Sequence, residues 1–390
     1  MLRCLVASWS ACVLLGACST SDRPPAYDGK AGAGASDGGV IIGVDASGPP
    51  DPDAGGLCGN LVLQQKYEPL NLYFVLDRSG SMSEVPTGAT YDKYAWVRLA
   101  VQAVLRSVGH RVSYGAAVFP AFDNLTGCDT GEEIFPTQHG DLIIFVAFGK
   151  DGPIFTFLLS LLNRYSTYGG TPAAATLEAL TPTLTALPDE TVVILATDGA
   201  PNCVASCPVE ECALNLLGES IGGRVCDDSV NCCEPGTISG GPDYCLGAPP
   251  SVRAVEHLAS LGIRTYVVGI LATGDWDQVL NDMAVAGGTA RADSSTAYYP
   301  ANSATELASA LEGIGVSEAI HCDIELEEPA PDPGLVNVYF DGKVVPADPA
   351  DGWKLIDASH VQVLGTSCDA LKSGTVFQVQ VVAGCKTIIR

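Results

Sequence analysis

The run Asp77-Arg78-Ser79-Gly80-Ser81 sets one carboxylate and two hydroxyls at alternate positions. Across a turn from a strand into a loop, that spacing aims three oxygens at one point. Such oxygens suit a hard divalent cation. Mg2+ fits most naturally and Mn2+ or Ca2+ are alternatives, with water or a ligand completing the shell. Two more oxygen donors stand further along. Thr171 lies in Tyr168-Gly169-Gly170-Thr171-Pro172, and Asp198 in Ala196-Thr197-Asp198-Gly199. Taken singly, each has a plainer explanation as a turn, a helix cap or a solvated loop. Arg78 reads first as a solvated surface side chain, and second as a group that steadies an aspartate or receives a ligand.

These residues need elements to bring them together. Residues 57–317 alternate strand and helix patterns, which predicts an α/β fold: a doubly wound, mostly parallel sheet covered on both faces. Strands are expected over 72–76, 112–119, 142–147, 191–196 and 264–270. The run 191–196 is nearly all apolar and so belongs near the sheet centre. Helices are expected over 92–108, 154–162 and 251–261, with another opened by Pro172 and ended or kinked by Pro182. Two later helices carry capping-box spacing, Asp275 with Gln278 and Ser303 with Glu306, and Gly287-Gly288 should stop the first. On this plan Thr171 and Asp198 fall at the carboxyl edge of the sheet, where open α/β folds place ligands. Residues 319–390 change character and predict a small β domain. It includes a tight hairpin around Asp341-Gly342 and strands over 361–364 and 375–382. The acidic run Asp323, Glu325, Glu327 and Glu328 reads as a solvated strand edge.

The ordered set DxSxS, GGTP and TDG resembles the metal-ion-dependent adhesion site of the von Willebrand factor type A (VWA) family. The resemblance spans about residues 69–317. It implies a VWA fold and a divalent cation held by Asp77, Ser79, Ser81, Thr171 and Asp198. In that family the serines bind the metal directly and the aspartates act partly through water. An acidic side chain of a partner protein completes the coordination. All five positions match. The implied function is binding, not catalysis. The alternatives are a scaffold lipoprotein of the envelope and a non-catalytic subunit of an enzyme complex.

Between Asp198 and Ser251 an insertion, residues 199–250, carries Cys203, Cys207, Cys212, Cys226, Cys232, Cys233 and Cys245. It starts at the metal edge, so it should wall the site, as a specificity element or as a stapled loop. Cys58, Cys128, Cys322, Cys368 and Cys385 complete an even set of twelve after Cys18, which predicts disulfides in an exported chain. Seven cysteines in the insertion and three in the β domain are both odd counts. On the VWA plan the loop holding Cys128 lies beside the insertion and Cys58 enters at the opposite edge. Cys128 is therefore expected to bond into the insertion and Cys58 to the β domain.

Residues 1–17 read as a lipoprotein signal peptide: Arg3, an apolar run, then Leu15-Gly16-Ala17-Cys18, with Cys18 the lipidated residue. Residues 18–56 read as a tether, since Ser19 onward holds nine Gly, five Pro and six Asp before Leu57. Residues 57–318 form the VWA domain on this division. Ser19 after Cys18 favours the outer membrane, with the lipid as the sole membrane attachment. The net charge of −25 argues against nucleic-acid binding. Five scattered His, and the lack of a nucleophile elbow, P-loop or dinucleotide fingerprint, argue against an enzyme.

Overall fold

The structure is a computed structural model. It describes residue 59 and residues 61–66, 69–122, 127–142, 145, 149–199, 201–203, 213–214, 220–221, 224–225, 245–271, 277–292, 294–373, 376 and 378–389. The chain divides into two units, Met1–Gly48 and Pro49–Arg390. All described residues belong to the second. The expected signal peptide, tether and Cys18 lie outside them.

The strands, in order, begin with β1 (Leu61–Leu63), β2 (Leu70–Asp77), β3 (Ser113–Phe119), β4 (Glu132–His139) and β5 (Glu190–Thr197). The insertion carries β6 (Ala213–Leu214), β7 (Ser220–Ile221), β8 (Arg224–Val225) and β9 (Cys245–Leu246). Then follow β10 (Arg264–Ile270), β11 (Tyr299–Ala301), β12 (Asp323–Glu325), β13 (Val336–Phe340), β14 (Lys343–Val345), β15 (Trp353–Asp357), β16 (His360–Val363) and β17 (Val379–Ala383). The helices are α1 (Lys93–Val108), α2 (Pro153–Leu162), α3 (Ala173–Thr185), α4 (Ala248–Ser260), α5 (Asp277–Ala286), α6 (Ala304–Ala319) and α7 (Gly365–Lys372).

The main sheet has the order β11-β10-β5-β2-β3-β4, parallel except for β4. β2 and β5 are central, and every residue of β2 is buried. That is why its middle, Leu72–Leu76, reads as a continuous apolar run rather than an alternating one. Side chains of β2 pointing one way (Leu72, Phe74, Leu76) pack with α1, α2 and α6. Those pointing the other way (Tyr73, Val75) pack with α3, α4 and α5. Two helical layers thus fix β2 and β5, whose carboxyl ends carry Asp77 and Thr197-Asp198.

The C-terminal segments form two small sheets, β1-β17-β13-β14 and β12-β16-β15. The expected hairpin is present: Phe340 faces Lys343, and Asp341 and Gly342 both have positive φ, as a two-residue turn requires. The small sheets share one continuous core with the α1 and α6 side of the main sheet. β1, on the N-terminal side of the 318/319 boundary, is hydrogen-bonded to β17, the last strand.

Two expectations need correction. The strand over 142–147 is not found: Leu142 is outside any strand, Phe145 is helical, and the remaining residues are not described. The third main-sheet strand in chain order is Glu132–His139, an edge strand whose Pro136 falls at a register shift against β3. Of the two outcomes expected at Pro182, an end or a kink, the end is excluded, since α3 runs on to Thr185. The proline sits in the last turn, and the Thr181 and Thr185 hydroxyls donate to the Leu177 and Thr181 carbonyls there. The other helices fall where periodicity put them. α1 is capped by Asp92, whose carboxylate accepts from Ala95 N. α6 is capped by Ser303, while Glu306 accepts from Asn302 N. Asp275 is outside the described residues.

Cys128 bonds to Cys203, the first cysteine of the insertion, and Cys322 bonds to Cys368. Cys385 is also disulfide-bonded. Cys58 is outside the described residues, but the register bears on it. Leu61 faces Ala383 in antiparallel pairing, so residue 59 projects opposite Cys385, and an added Cβ on Gly59 would meet Val382 and Ala383. Peptide mapping of the non-reduced protein should therefore recover Cys58 linked to Cys385. Recovery of Cys58 with an insertion cysteine would contradict that pairing.

Candidate metal centre

β2 ends on Asp77, and the chain turns through Ser79 into a single 3-10 turn, Gly80–Ser83. Asp77 is fully buried. One of its oxygens accepts from Ser79 N at 2.7 Å and the other from Thr197 Oγ1 at 2.5 Å. Ser79 Oγ lies 3.1 Å from Ser81 Oγ, and Ser81 Oγ donates to Asp198 Oδ1 at 2.8 Å. The carboxylates of β2 and β5 and both serines are thus linked in one short network.

Thr171 joins it through the backbone. Gly80 N donates to Gly169 O and Tyr168 N to Arg78 O, each at 2.8 Å, which clips the DxSxS loop to the GGTP loop. Thr171 N donates to Asn202 Oδ1 at 2.6 Å, and Asn202 N returns a bond to Thr171 O at 3.0 Å. Thr171 is buried, and its hydroxyl makes no hydrogen bond to a described residue. An ideal Cβ on Gly199 would lie 3.9 Å from both Thr171 Oγ1 and Ser81 Oγ, so the two hydroxyls border one space. The two glycines of GGTP are needed there. Gly169 has φ +79 and touches Gly127, and a side chain on Gly170 would collide with the Cys128–Cys203 disulfide. The start of the cysteine-rich insertion is therefore pinned directly behind the threonine.

All five expected residues come together at the carboxyl edge of the sheet. The donor set fits a divalent cation. Burial, and after it the neighbouring Asp198, push the Asp77 carboxyl up to about 7. Two carboxylates and three hydroxyls held this way form an anionic, oxygen-only nest of the kind hard cations take. Among the described residues no three His, Cys, Asp or Glu side chains gather as an alternative centre.

Arg78 is not on the surface. Its side chain is buried and points away from the carboxylates. It donates to Pro120 O at 2.8 Å, to Ala121 O at 2.9 Å and to Ser166 O. Its guanidinium also lies 5.6 Å from the Phe122 ring and 5.7 Å from the Tyr165 ring. It fastens the loops after β3 and before α3 to the DxSxS turn. Three further residues had no part in the motif reading. Thr197 orients Asp77, and Asn202 holds both backbone groups of Thr171. Lys93, the first residue of α1, donates to Asp198 Oδ2 at 3.0 Å and to Glu84 Oε2 at 2.6 Å. Burial lowers the Lys93 pKa, but its two carboxylate partners outweigh that and leave it above the usual lysine value.

A doubly wound sheet with these five residues on its carboxyl edge decides the fold. It is that of a von Willebrand factor type A domain. Solved structures similar to the chain include the pilus adhesin SpaC of Lactobacillus rhamnosus GG in an open conformation, at 17% identity and TM-score 0.46, over 82% of this chain and 40% of that one. The vWF domain of the type V pili tip protein Mfa5 of Porphyromonas gingivalis is similar at 10% identity and TM-score 0.41, over 66% and 96%. Manganese-loaded TRAP of Plasmodium vivax is similar at 16% identity and TM-score 0.35, over 63% and 74%. The chain spans less than half the length of SpaC. These likenesses concern the fold. No protein-family model matches the sequence, and no curated protein does.

Proposed function

We propose that this VWA domain binds a partner protein through a divalent cation at Asp77, Ser79, Ser81, Thr171 and Asp198, as a binding module and not an enzyme. The observation that carries the reading is the network joining two buried carboxylates to both serines, beside a Thr171 hydroxyl that has no hydrogen-bond partner among the described residues. Ser79, Ser81 and Thr171 would hold the cation directly, with Asp77 and Asp198 offsetting its charge. A bound divalent cation supplies a positive centre with a coordination position open to an acidic side chain. Without it the chain, at net −25, repels such a side chain. Mg2+ is the cation proposed, and the partner offers a carboxylate. The Cys128–Cys203 bond holds the insertion against the threonine loop, where it contributes to the choice of partner. The chain is further proposed to be an exported lipoprotein, lipidated at Cys18 and held at the outer membrane.

The test is capture of envelope proteins by immobilised protein in Mg2+ and in EDTA, with a folded Thr171→Ala variant alongside. A partner retained only by the wild type in Mg2+ is the expected result. Capture indifferent to both EDTA and the substitution would remove the metal from the binding face.

A further inference from the structure

Lys93 stands where local chemistry argues against it. It is the first residue of α1, and the amino end of a helix favours acids and disfavours cations. It is also buried, with 7% of its surface exposed, which is costly for an ammonium without partners. Its partners explain the position. Asp198 divides its two oxygens: Oδ1 takes the Ser81 hydroxyl and Oδ2 takes Lys93 Nζ. Glu84, on the exposed loop between the metal-binding turn and α1, takes Nζ from the other side, and Lys93 N donates to Glu84 O at 3.1 Å.

We propose that Lys93 is a built-in counter-ion of the site, a positioning residue that holds Asp198 in the metal-free state and weakens the hold on the cation. The inference rests on the metal-site reading above. Asp77 and Asp198 are both buried, and an empty pair of carboxylates there is unstable. Lys93 supplies one positive charge permanently, so the fold survives loss of the cation. The same charge repels an incoming cation through the shared carboxylate. The site is thereby tuned toward release and re-binding, where a bare carboxylate pair would hold the metal more tightly.

The experiment measures Mn2+ affinity by titration calorimetry, and Tm with and without Mn2+, on wild type, Lys93→Met, Lys93→Arg, Glu84→Gln and Arg106→Met. Lys93→Met is expected to lower the metal-free Tm, to regain most of that loss in Mn2+, and to tighten Mn2+ binding about 10-fold. Lys93→Arg keeps both wild-type values. Glu84→Gln moves the affinity the other way, weakening it by about 3-fold, because Lys93 is then less compensated. It also keeps the test intact if Lys93→Met does not fold. Arg106→Met removes the same charge from the far end of α1 and leaves the affinity unchanged. A purely structural role would lower Tm equally with and without metal and would not tighten binding. Either that result, or unchanged affinity in Glu84→Gln, overturns the proposal. A wild type that binds no Mn2+ overturns the metal-site reading itself, and this inference with it.

Discussion

Replacing Arg78 with methionine should destabilise the domain by roughly 3–5 kcal/mol, although the substitution keeps most of the side chain's length. The guanidinium answers three backbone carbonyls, those of Pro120, Ala121 and Ser166, and lies between two aromatic rings. Methionine fills the space but leaves carbonyls in a buried setting without donors, each costing on the order of 1–3 kcal/mol. Lysine is little better, because one ammonium cannot reproduce the planar fork. Denaturant unfolding of the two variants checks the magnitude. Because Arg78 N also donates to Phe119 O and Arg78 O accepts from Tyr168 N, the damage should spread to the threonine loop. Cation affinity should fall in a variant that touches no metal ligand. A loss of less than about 1 kcal/mol would mean that water replaces the guanidinium and that the three loops hold one another without it.

Asp77→Asn should have two effects of opposite sign. The cation response should vanish, a loss of more than about 100-fold in affinity, since one of only two carboxylates is gone. The metal-free protein should become more stable by roughly 1–3 kcal/mol at pH 8, since the buried like-charge pair is relieved. Asparagine is close to isosteric, and its oxygen can still accept from Ser79 N or Thr197 Oγ1. Thermal unfolding with EDTA and with Mg2+ separates the effects: the variant should melt above wild type in EDTA and show no shift in Mg2+. A variant less stable than wild type in EDTA would show that the hydrogen bonds to the charged carboxylate outweigh the repulsion from Asp198.

The gathering of Asp77, Ser79, Ser81, Thr171 and Asp198 was legible because three short motifs, each local, fall at the ends of recognisable apolar strands. What surrounds them was not. Arg78 was misread because a lone arginine in a loop looks solvated, and the carbonyls that cage it come from residues 42 to 88 positions away. The edge strand Glu132–His139 was missed because EEIFPTQH is polar and holds a proline. It buries little more than Ile134 and Phe135, which an edge strand permits and a central one does not. The apolar run after Asp141 drew that strand instead, because apolar content alone does not identify an element. β1 is three residues long and is a strand only by virtue of β17, more than three hundred residues later. Lys93 did carry a signal. A lysine in the first position after a good N-cap goes against the helix dipole, and such a local violation marks tertiary pairing. Asn202 carried none, since nothing local distinguishes an asparagine that holds the threonine loop from one that starts a turn.

Anomalous diffraction at the manganese edge from crystals grown with Mn2+ tests the central claim most directly. One strong peak is predicted, bordered by the hydroxyls of Ser79, Ser81 and Thr171 and flanked by Asp77 and Asp198, and it should be absent from Asp77→Asn crystals. A wild-type map with no peak there at saturating Mn2+, or with its strongest peak on other residues, would contradict the account.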